Sequence, residues 1–235
     1  MWAVAVAVVA VVVAGVPDTA ALDRVLAAAV KGDLVDYRAV ELNRPALRSY
    51  LDVVAVADVS RASRSELIAF YVNAYNATVL DQVLVHGLVA KKAKVTDVKG
   101  FFDGLEHRFA GQALTLNELE ALARKLDPRV HFVINCASLD CPPLRARSYS
   151  AGPLEADLER QTRAFLARPE QLKVDVVAGT VVTTQLLEWY AADFGDVRTF
   201  LSRHAPVGSL PISFRPYDWR LNVWPQPAPQ QENPR

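Results

Sequence analysis

Residues 130–144 constrain the fold of this chain more than any other segment. A mostly apolar run at residues 130–135 leads to Cys136, and Cys141 stands directly before two prolines. An apolar run of about six residues is typical of a buried strand, and a polar stretch that ends in proline is typical of a loop. We therefore predict a strand over residues 130–135 that delivers Cys136 to a loop at the mouth of a sheet.

The composition favours an ordinary folded domain. Of the 235 residues 51% are hydrophobic, which is enough to bury one sizeable core. Lys+Arg and Asp+Glu both total 26, so the formal net charge is zero. Without a positive field the chain is not drawn to phosphate backbones or anionic membranes. We expect no nucleic-acid partner, an unknown small molecule or peptide as the ligand, and no cofactor.

The first 16 residues have the form of a secretory signal segment. Residues 2–16 are almost entirely Val and Ala, a stretch shorter than the roughly 20 residues that span a bilayer. Small residues near Ala14 and Gly15 suit a signal peptidase, so we expect cleavage there and a periplasmic or secreted location. Membrane contact is then only transient, through this segment. A buried N-terminal strand or helix is the alternative, because no Lys or Arg precedes Arg24.

The rest of the chain is predicted to be a single globular domain over residues 17–224, with a disordered Pro/Gln-rich tail over residues 225–235. A capping box at residues 63–66 opens a long apolar segment, residues 67–84, which we predict to be the central helix. Residues 172–184 alternate as a hairpin does.

These elements predict an α+β fold. We expect a small, largely antiparallel sheet that holds the 130–136 strand and the 172–184 hairpin, packed by several helices. A papain-like or transglutaminase-like arrangement is an alternative.

The two cysteines allow three interpretations. In an oxidising compartment Cys136 and Cys141 form a structural disulfide, which contributes roughly 2 kcal/mol by closing a short loop. Alternatively Cys136 is a catalytic or redox-active thiol, with His131 or another histidine brought in by folding as the base. Asn135 or Asn73 then donates to an oxyanion, and Cys141 is either a resolving thiol or a structural neighbour. Zinc is the third interpretation, but it needs two further ligands, and we expect no metal site.

Five residues are candidates for binding. Asn73 and Asn76 lie three apart on one face of the central helix, where their amides either bond a neighbouring loop or line a site. Ser138 and Cys141 belong to the bend after Cys136, whose N–H groups could face an anion, and Arg129 is a cation that could lower a thiol pKa.

Aromatic and acidic residues in the last third of the chain also stand close together. Trp189 with Asp193, and Tyr217 with Asp218 and Trp219, could line a cleft beside the cysteines. We favour a structural role for them, because aromatic residues at such spacing usually pack in the core and a neighbouring Asp usually caps a helix or pairs with Arg.

Several segments carry a specific combination of motifs. They are residues 70–77, 127–132 with 135–138 and 141–144, Trp189-Tyr190 with Asp193-Phe194, and residues 217–219 with Leu221-Asn222. Together they resemble an uncharacterised family of bacteria and plants, the domain of unknown function 547. Members often carry Glu-His where this chain has Glu120-Ala121. The resemblance implies no established activity, and relatives that carry glutaredoxin-like domains imply thiol chemistry by analogy.

Two functional hypotheses follow. The first is an exported thiol-dependent enzyme or thiol-redox protein centred on Cys136. The second is a non-catalytic envelope binding or scaffold module, in which Cys136 and Cys141 form a structural disulfide.

Overall fold

The computed structural model describes residues 13–225, so most of the predicted signal segment and tail lies outside the described residues. The α-helices within that range are α1 (Ala20–Ala29), α2 (Tyr37–Leu42), α3 (Arg44–Ala55), α4 (Arg64–Val85), α5 (Leu88–Lys91), α6 (Leu116–Leu126), α7 (Leu154–Leu166), α8 (Leu186–Trp189), α9 (Ala191–Phe194) and α10 (Val197–Leu201). The strands are β1 (Val13–Ala14), β2 (Val30–Lys31), β3 (Leu34–Val35), β4 (Ala57–Asp58), β5 (His107–Phe109), β6 (Gln112–Leu114), β7 (Leu172–Asp175), β8 (Thr180–Thr184) and β9 (Ile212–Arg215). Two 3₁₀ helices span Val95–Asp97 and Pro128–Phe132.

Helix α4 is the central helix that the sequence predicts. It begins with the capping box, in which the Ser63 hydroxyl accepts the N–H of Glu66 and the Glu66 carboxylate accepts the N–H of Ser63. Its middle is buried on all sides between α3 and α6, as expected of a helix without a polar face. None of the helices in residues 13–225 is both long and apolar enough to cross a membrane.

The sheets are small, and the α+β class is confirmed. The largest has three strands, with β7 antiparallel to β8 and β8 parallel to β9. The β7–β8 pair is the predicted hairpin, with Leu172 opposite Thr183. The other strands form two-stranded pairs, of which β1–β4 is parallel and β2–β3 and β5–β6 are antiparallel.

The predicted strand over residues 130–135 is wrong. Pro128–Phe132 is a 3₁₀ helix, begun by the Asp127 side chain, which accepts the N–H of Arg129, and residues 133–136 continue without strand structure. The amide of Asn76 takes the backbone groups that a strand partner would take: it donates to the Val133 carbonyl and accepts the N–H of Asn135. Because each buried backbone group needs only one hydrogen-bond partner, the two hydrogen bonds of the Asn76 side chain replace those that a neighbouring β-strand would make.

The segment that carries the cysteines lies between two hydrophobic cores. The larger core is built mainly by helices α1 to α6, and Val130 and Val133 belong to it. The smaller core collects residues of α7, the three-stranded sheet and α10 around Phe132. Residues 130–133 therefore pack into both cores, which fixes the start of the cysteine segment from two sides.

Candidate functional site

The cysteine loop, residues 136–141, is closed by a disulfide. Cys136 and Cys141 have Cα atoms 6.0 Å apart and are bonded through their sulfurs. Asn135 supports the loop from within, because its Nδ2 donates to the Pro142 carbonyl at 2.8 Å and its Oδ1 accepts the Ala137 N–H at 2.9 Å. The latter bond holds Ala137 at φ 65°, a left-handed conformation that residues other than glycine rarely adopt.

The C-terminal segment, residues 217–222, packs along the outer side of this loop. Backbone hydrogen bonds join Leu139 N–H to the Arg220 carbonyl at 2.8 Å and Asn222 N–H to the Ala137 carbonyl at 3.0 Å. The Asp140 carboxylate also accepts the Asp218 N–H. The end of the domain therefore holds the loop itself, and Asn76 of α4 holds the residues just before it.

Hydroxyl groups surround the Cys136 sulfur. Its Sγ lies 3.0 Å from Ser138 Oγ and 3.3 Å from the Tyr217 hydroxyl, and Ser138 donates to Tyr217 at 3.2 Å. A disulfide sulfur carries no proton, and Ser138 gives its single hydroxyl proton to Tyr217, so the Tyr217 hydroxyl is the available donor to the sulfur. Burial raises the pKa of Tyr217 despite the hydrogen bond from Ser138, and the phenol therefore keeps its proton.

The second sulfur has a donor of its own. Cys141 Sγ accepts the backbone N–H of Cys136 at 2.7 Å. Cys141 is only 6% exposed, whereas Cys136 is half-buried. Cys136 is therefore the more exposed of the two bonded cysteines.

Both cysteines line a cavity of about 440 Å³. Much of its wall is aromatic, namely Tyr75, Phe101, Phe102, Trp189, Tyr190, Tyr217 and Trp219. The Trp189 and Trp219 rings stack with centroids 5.8 Å apart, and Trp189 is 44% exposed. This wall can take up an apolar or aromatic group next to the disulfide.

A second cluster of polar side chains is centred on His131, which also lines the cavity. Its Nε2 lies 2.7 Å from an Asp193 carboxylate oxygen and its Nδ1 lies 3.4 Å from Glu120 Oε1. Arg124 donates to both oxygens of Asp193, and the Tyr190 ring stacks on the imidazole with centroids 3.9 Å apart. Burial opposes ionisation of Asp193, but hydrogen bonds from His131 and Arg124 outweigh it and lower the pKa of this carboxyl.

The structure brings some of the predicted site residues together and separates others. Cys136, Cys141 and His131 line the same cavity, although the predicted strand would have pointed His131 and Cys136 to opposite faces. Ser138 joins them through the Cys136 sulfur. Asn135 is 2% exposed, and its amide is used inside the protein.

The remaining predicted residues support other segments. Asn73 exchanges two hydrogen bonds with the backbone of Tyr149, as Asn76 does with residues 133 and 135. Arg129 pairs with Asp127 and Glu155 beside a second cavity.

Sequence reasoning missed Glu120 and Tyr190. Glu120 lies on the buried face of α6 with Leu116, Leu119 and Ala123. A charged residue on an apolar helix face is the signal that could have revealed it. Trp189, Tyr217 and Trp219, for which the sequence favours a structural role, do line the cavity.

The part of the chain that the structure describes contains no set of ligands for a metal ion. Within residues 13–225 no three His, Cys, Asp or Glu side chains are grouped so that they could hold a metal ion. Both cysteine sulfurs are in the disulfide, and both His131 nitrogens face carboxylates.

Comparison with known proteins supports the family resemblance. Residues 59–166 match the family described as "Protein of unknown function, DUF547". This segment is just under half of the chain, and it contains both cysteines, Glu120 and His131 but neither Asp193 nor the cavity residues of the C-terminal part. No curated protein and no solved structure matches the chain.

Proposed function

We propose that this protein is a thiol-redox protein whose Cys136–Cys141 disulfide exchanges electrons with the thiols of a small molecule or peptide in the cavity. The observation that carries the proposal is the position of Cys136, which lines the cavity and whose sulfur lies within 3.3 Å of two hydroxyl groups. Reduction places negative charge on this sulfur, and hydrogen-bond donors stabilise a thiolate.

The two sulfurs have different roles in this exchange. A substrate thiolate attacks the Sγ of Cys136, which is the more exposed of the two cysteines. The disulfide bond breaks, and Cys141 leaves as a thiolate that accepts the Cys136 N–H. A second substrate thiolate then attacks the substrate sulfur of the mixed disulfide and releases Cys136. Two electrons pass from the substrate to the cysteine pair, and the substrate leaves as a disulfide.

The surroundings of His131 argue against the alternative in which Cys136 attacks an acyl group with His131 as its base. Such a dyad needs one imidazole nitrogen directed at the thiol. Here Nε2 and Nδ1 face Asp193 and Glu120. Redox exchange requires no imidazole at the sulfur.

The reduction potential of the disulfide tests the proposal. Structural disulfides of secreted proteins usually have potentials below about −300 mV, whereas stabilisation of the reduced form raises the potential. We expect a value above roughly −300 mV, measured by alkylation and mass spectrometry after equilibration in thiol buffers. Tyr217→Phe removes one donor and is expected to lower the potential by about 30 mV, which corresponds to about 1.4 kcal/mol for a two-electron couple.

Tyr190→Phe is the matched control for that experiment. It removes the hydroxyl of another cavity tyrosine, for which the structure gives no contact with the sulfurs in the described residues. The redox proposal would be overturned if the wild-type reduction potential lies below about −300 mV, as in structural disulfides, and Tyr217→Phe leaves it unchanged.

The aromatic wall supports a second candidate, a binding module in which the disulfide is a structural element. The exposed Trp189 and its stack on Trp219 provide a binding surface that needs no thiol. In that case a Cys136→Ser/Cys141→Ser variant would keep full ligand affinity, and the wild-type disulfide would resist reduction in the folded protein.

We also infer that the protein is exported to the periplasm or secreted. The apolar residues 2–16 support this proposal, as does a disulfide that persists in oxidising compartments. N-terminal sequencing of the protein from fractionated cells is expected to give a start near Gly15. A full-length chain confined to the cytosol would contradict export.

A further inference from the structure

His131 is a buried imidazole that connects two carboxylates. Its side chain is 1% exposed, and Asp193 and Glu120 face its two ring nitrogens at 2.7 and 3.4 Å. An imidazole can accept a proton on one nitrogen and release another from the opposite nitrogen, which makes histidine the usual proton shuttle in proteins.

The two carboxylates open on different cavities. Glu120 lines the central cavity together with the disulfide, and its side chain is 8% exposed. Asp193 lines the second cavity, of about 510 Å³, with Arg129 and His204, and its side chain is 17% exposed. The chain from Asp193 through His131 to Glu120 therefore passes from one cavity to the other through the interior.

Neighbouring side chains fix the geometry of the Asp193–His131–Glu120 series. Arg124 holds both oxygens of Asp193 at 2.8 and 2.9 Å, and Tyr190 stacks on His131. Burial, the charge of Glu120 and a hydrogen bond to its carboxylate together raise the pKa of Tyr190. The Tyr190 phenol therefore keeps its proton and stays neutral beside Glu120.

Electrostatic interactions link Glu120 to the sulfur side of the cavity. Burial is the main cause of the raised pKa of Tyr217, but the negative charges of Asp140 and Glu120 add to it, and Tyr217 contacts Cys136 Sγ. Other charged and titratable side chains lie around the Asp193–His131–Glu120 series. They come from α4, α6 and the C-terminal third, namely Tyr75, Arg124, Tyr190 and Tyr217.

We propose that Glu120, His131 and Asp193 form a proton relay, with Glu120 as the acid–base group of the central cavity. This inference rests on the proposed redox function and adds where the protons go. The Glu120 carboxylate takes the proton of a substrate thiol, and the thiolate attacks Cys136 Sγ as the Cys136–Cys141 bond breaks. His131 and Asp193 are positioning residues that act through Glu120 and carry the proton towards the second cavity.

The pH dependence of disulfide reduction by dithiothreitol tests the relay, with alkylation as the readout. Without a base, only the thiolate form of the reagent reacts, so the rate rises tenfold per pH unit below the thiol pKa. With Glu120 as the base, the wild-type rate is expected to rise less steeply. Glu120→Gln is expected to lose about 100-fold in rate near neutral pH, the lower end for general-base catalysis, and to follow the steep thiolate profile.

Variants of other residues separate the relay from a packing effect. Asp193→Asn, at the far end of the relay, is expected to steepen the pH profile in the same direction, with a smaller loss in rate than Glu120→Gln. Glu188→Gln is the matched control, because it removes an exposed carboxylate next to Trp189 and is expected to stay within about twofold of wild type. Near-ultraviolet circular dichroism and urea midpoints show whether each variant is folded. If Glu120→Gln fails to fold, Asp193→Asn alone decides the question.

The outcomes distinguish this inference from the redox proposal itself. A folded wild-type protein whose disulfide resists dithiothreitol contradicts the redox function. A wild-type protein that is reduced readily, with the same pH profile in Glu120→Gln or in Asp193→Asn, overturns the relay and leaves the redox function standing.

Discussion

The side-chain oxygen of Asn76 accepts the backbone N–H of Asn135 at 2.8 Å, across 59 positions of sequence. The same amide donates to the Val133 carbonyl. One buried side chain of the central helix thus satisfies both the donor and the acceptor that the chain presents just before the cysteine loop. Because the backbone there has no strand partner, the position of the cysteines depends on this amide.

Asn76→Ala is therefore expected to affect both stability and the disulfide. It leaves a buried N–H and a buried carbonyl without partners, which costs about 3 kcal/mol in the free energy of unfolding, measured by urea denaturation. We also expect faster reduction of the disulfide, because the loop loses its anchor on α4.

Asn73→Ala is the matched control for Asn76→Ala. It removes an equivalent pair of bonds to Tyr149, on the same helix but away from the cysteine loop. We expect a similar loss of stability without a change in the reduction rate. Equal reduction rates in all three proteins would show that Asn76 does not control the loop.

Trp189→Ala is expected to weaken binding of a neutral apolar probe in the central cavity. Loss of one stacked ring costs roughly 1 kcal/mol or more, or at least about fivefold in affinity, and the fluorescence of N-phenylnaphthylamine measures it. Trp224 is 43% exposed, nearly the same as Trp189, but lies outside the cavity wall. Trp224→Ala should bind the probe like wild type, and equal losses in both variants would place the probe elsewhere.

The Asp127 carboxyl makes the free energy of unfolding depend on pH in the acid range. Burial opposes its ionisation, yet hydrogen bonds from Arg129 and Arg64 outweigh that cost and lower its pKa. A carboxyl whose pKa is lower in the folded state contributes stability above its unfolded pKa of about 3.9 and loses it as the pH falls through the folded value.

Asp127→Asn is therefore expected to be less stable than wild type by about 2 kcal/mol near neutral pH, with the difference shrinking below about pH 4. Urea midpoints across this range measure it. A difference that stays constant with pH would show that the charge of Asp127 has no part in it.

Phe132 is expected to be the most sensitive position of the smaller core. It is fully buried against Phe165, Phe194 and Phe200, and it directly follows His131. Phe132→Ala should lower the unfolding free energy by about 3–5 kcal/mol. Val177→Ala, at a fully exposed position of the β7–β8 turn, should stay within about 0.5 kcal/mol of wild type.

The local parts of the fold were predictable from the sequence. Capping residues such as Ser63 and Glu66 act within one helical turn, and the 172–184 hairpin is set by its own alternation. The 130–135 segment was not predictable in this way, because a side chain of a distant helix decides where its backbone bonds go.

The same reason limits prediction of the candidate site. The cysteines and His131 stand out by residue type, but Glu120 gains its place only when α6 packs beside the Pro128–Phe132 helix. Tyr217 reaches the sulfur from 81 positions away. Contacts of this length follow from the packing of whole elements, which no local pattern encodes.

The distance in sequence between Cys136 and Tyr217 also sets the order in which the site can mature. Chains are synthesised from the N-terminus, and domains fold as their segments become available. A nascent chain that has just passed residue 166 already contains both cysteines but lacks Tyr217 and the 217–222 segment that packs on their loop. If Cys136 and Cys141 are oxidised at that stage, the disulfide forms before the Tyr217 hydroxyl is present. Tyr217 contacts the Cys136 sulfur only after the C-terminal segment has been synthesised and has packed on the loop.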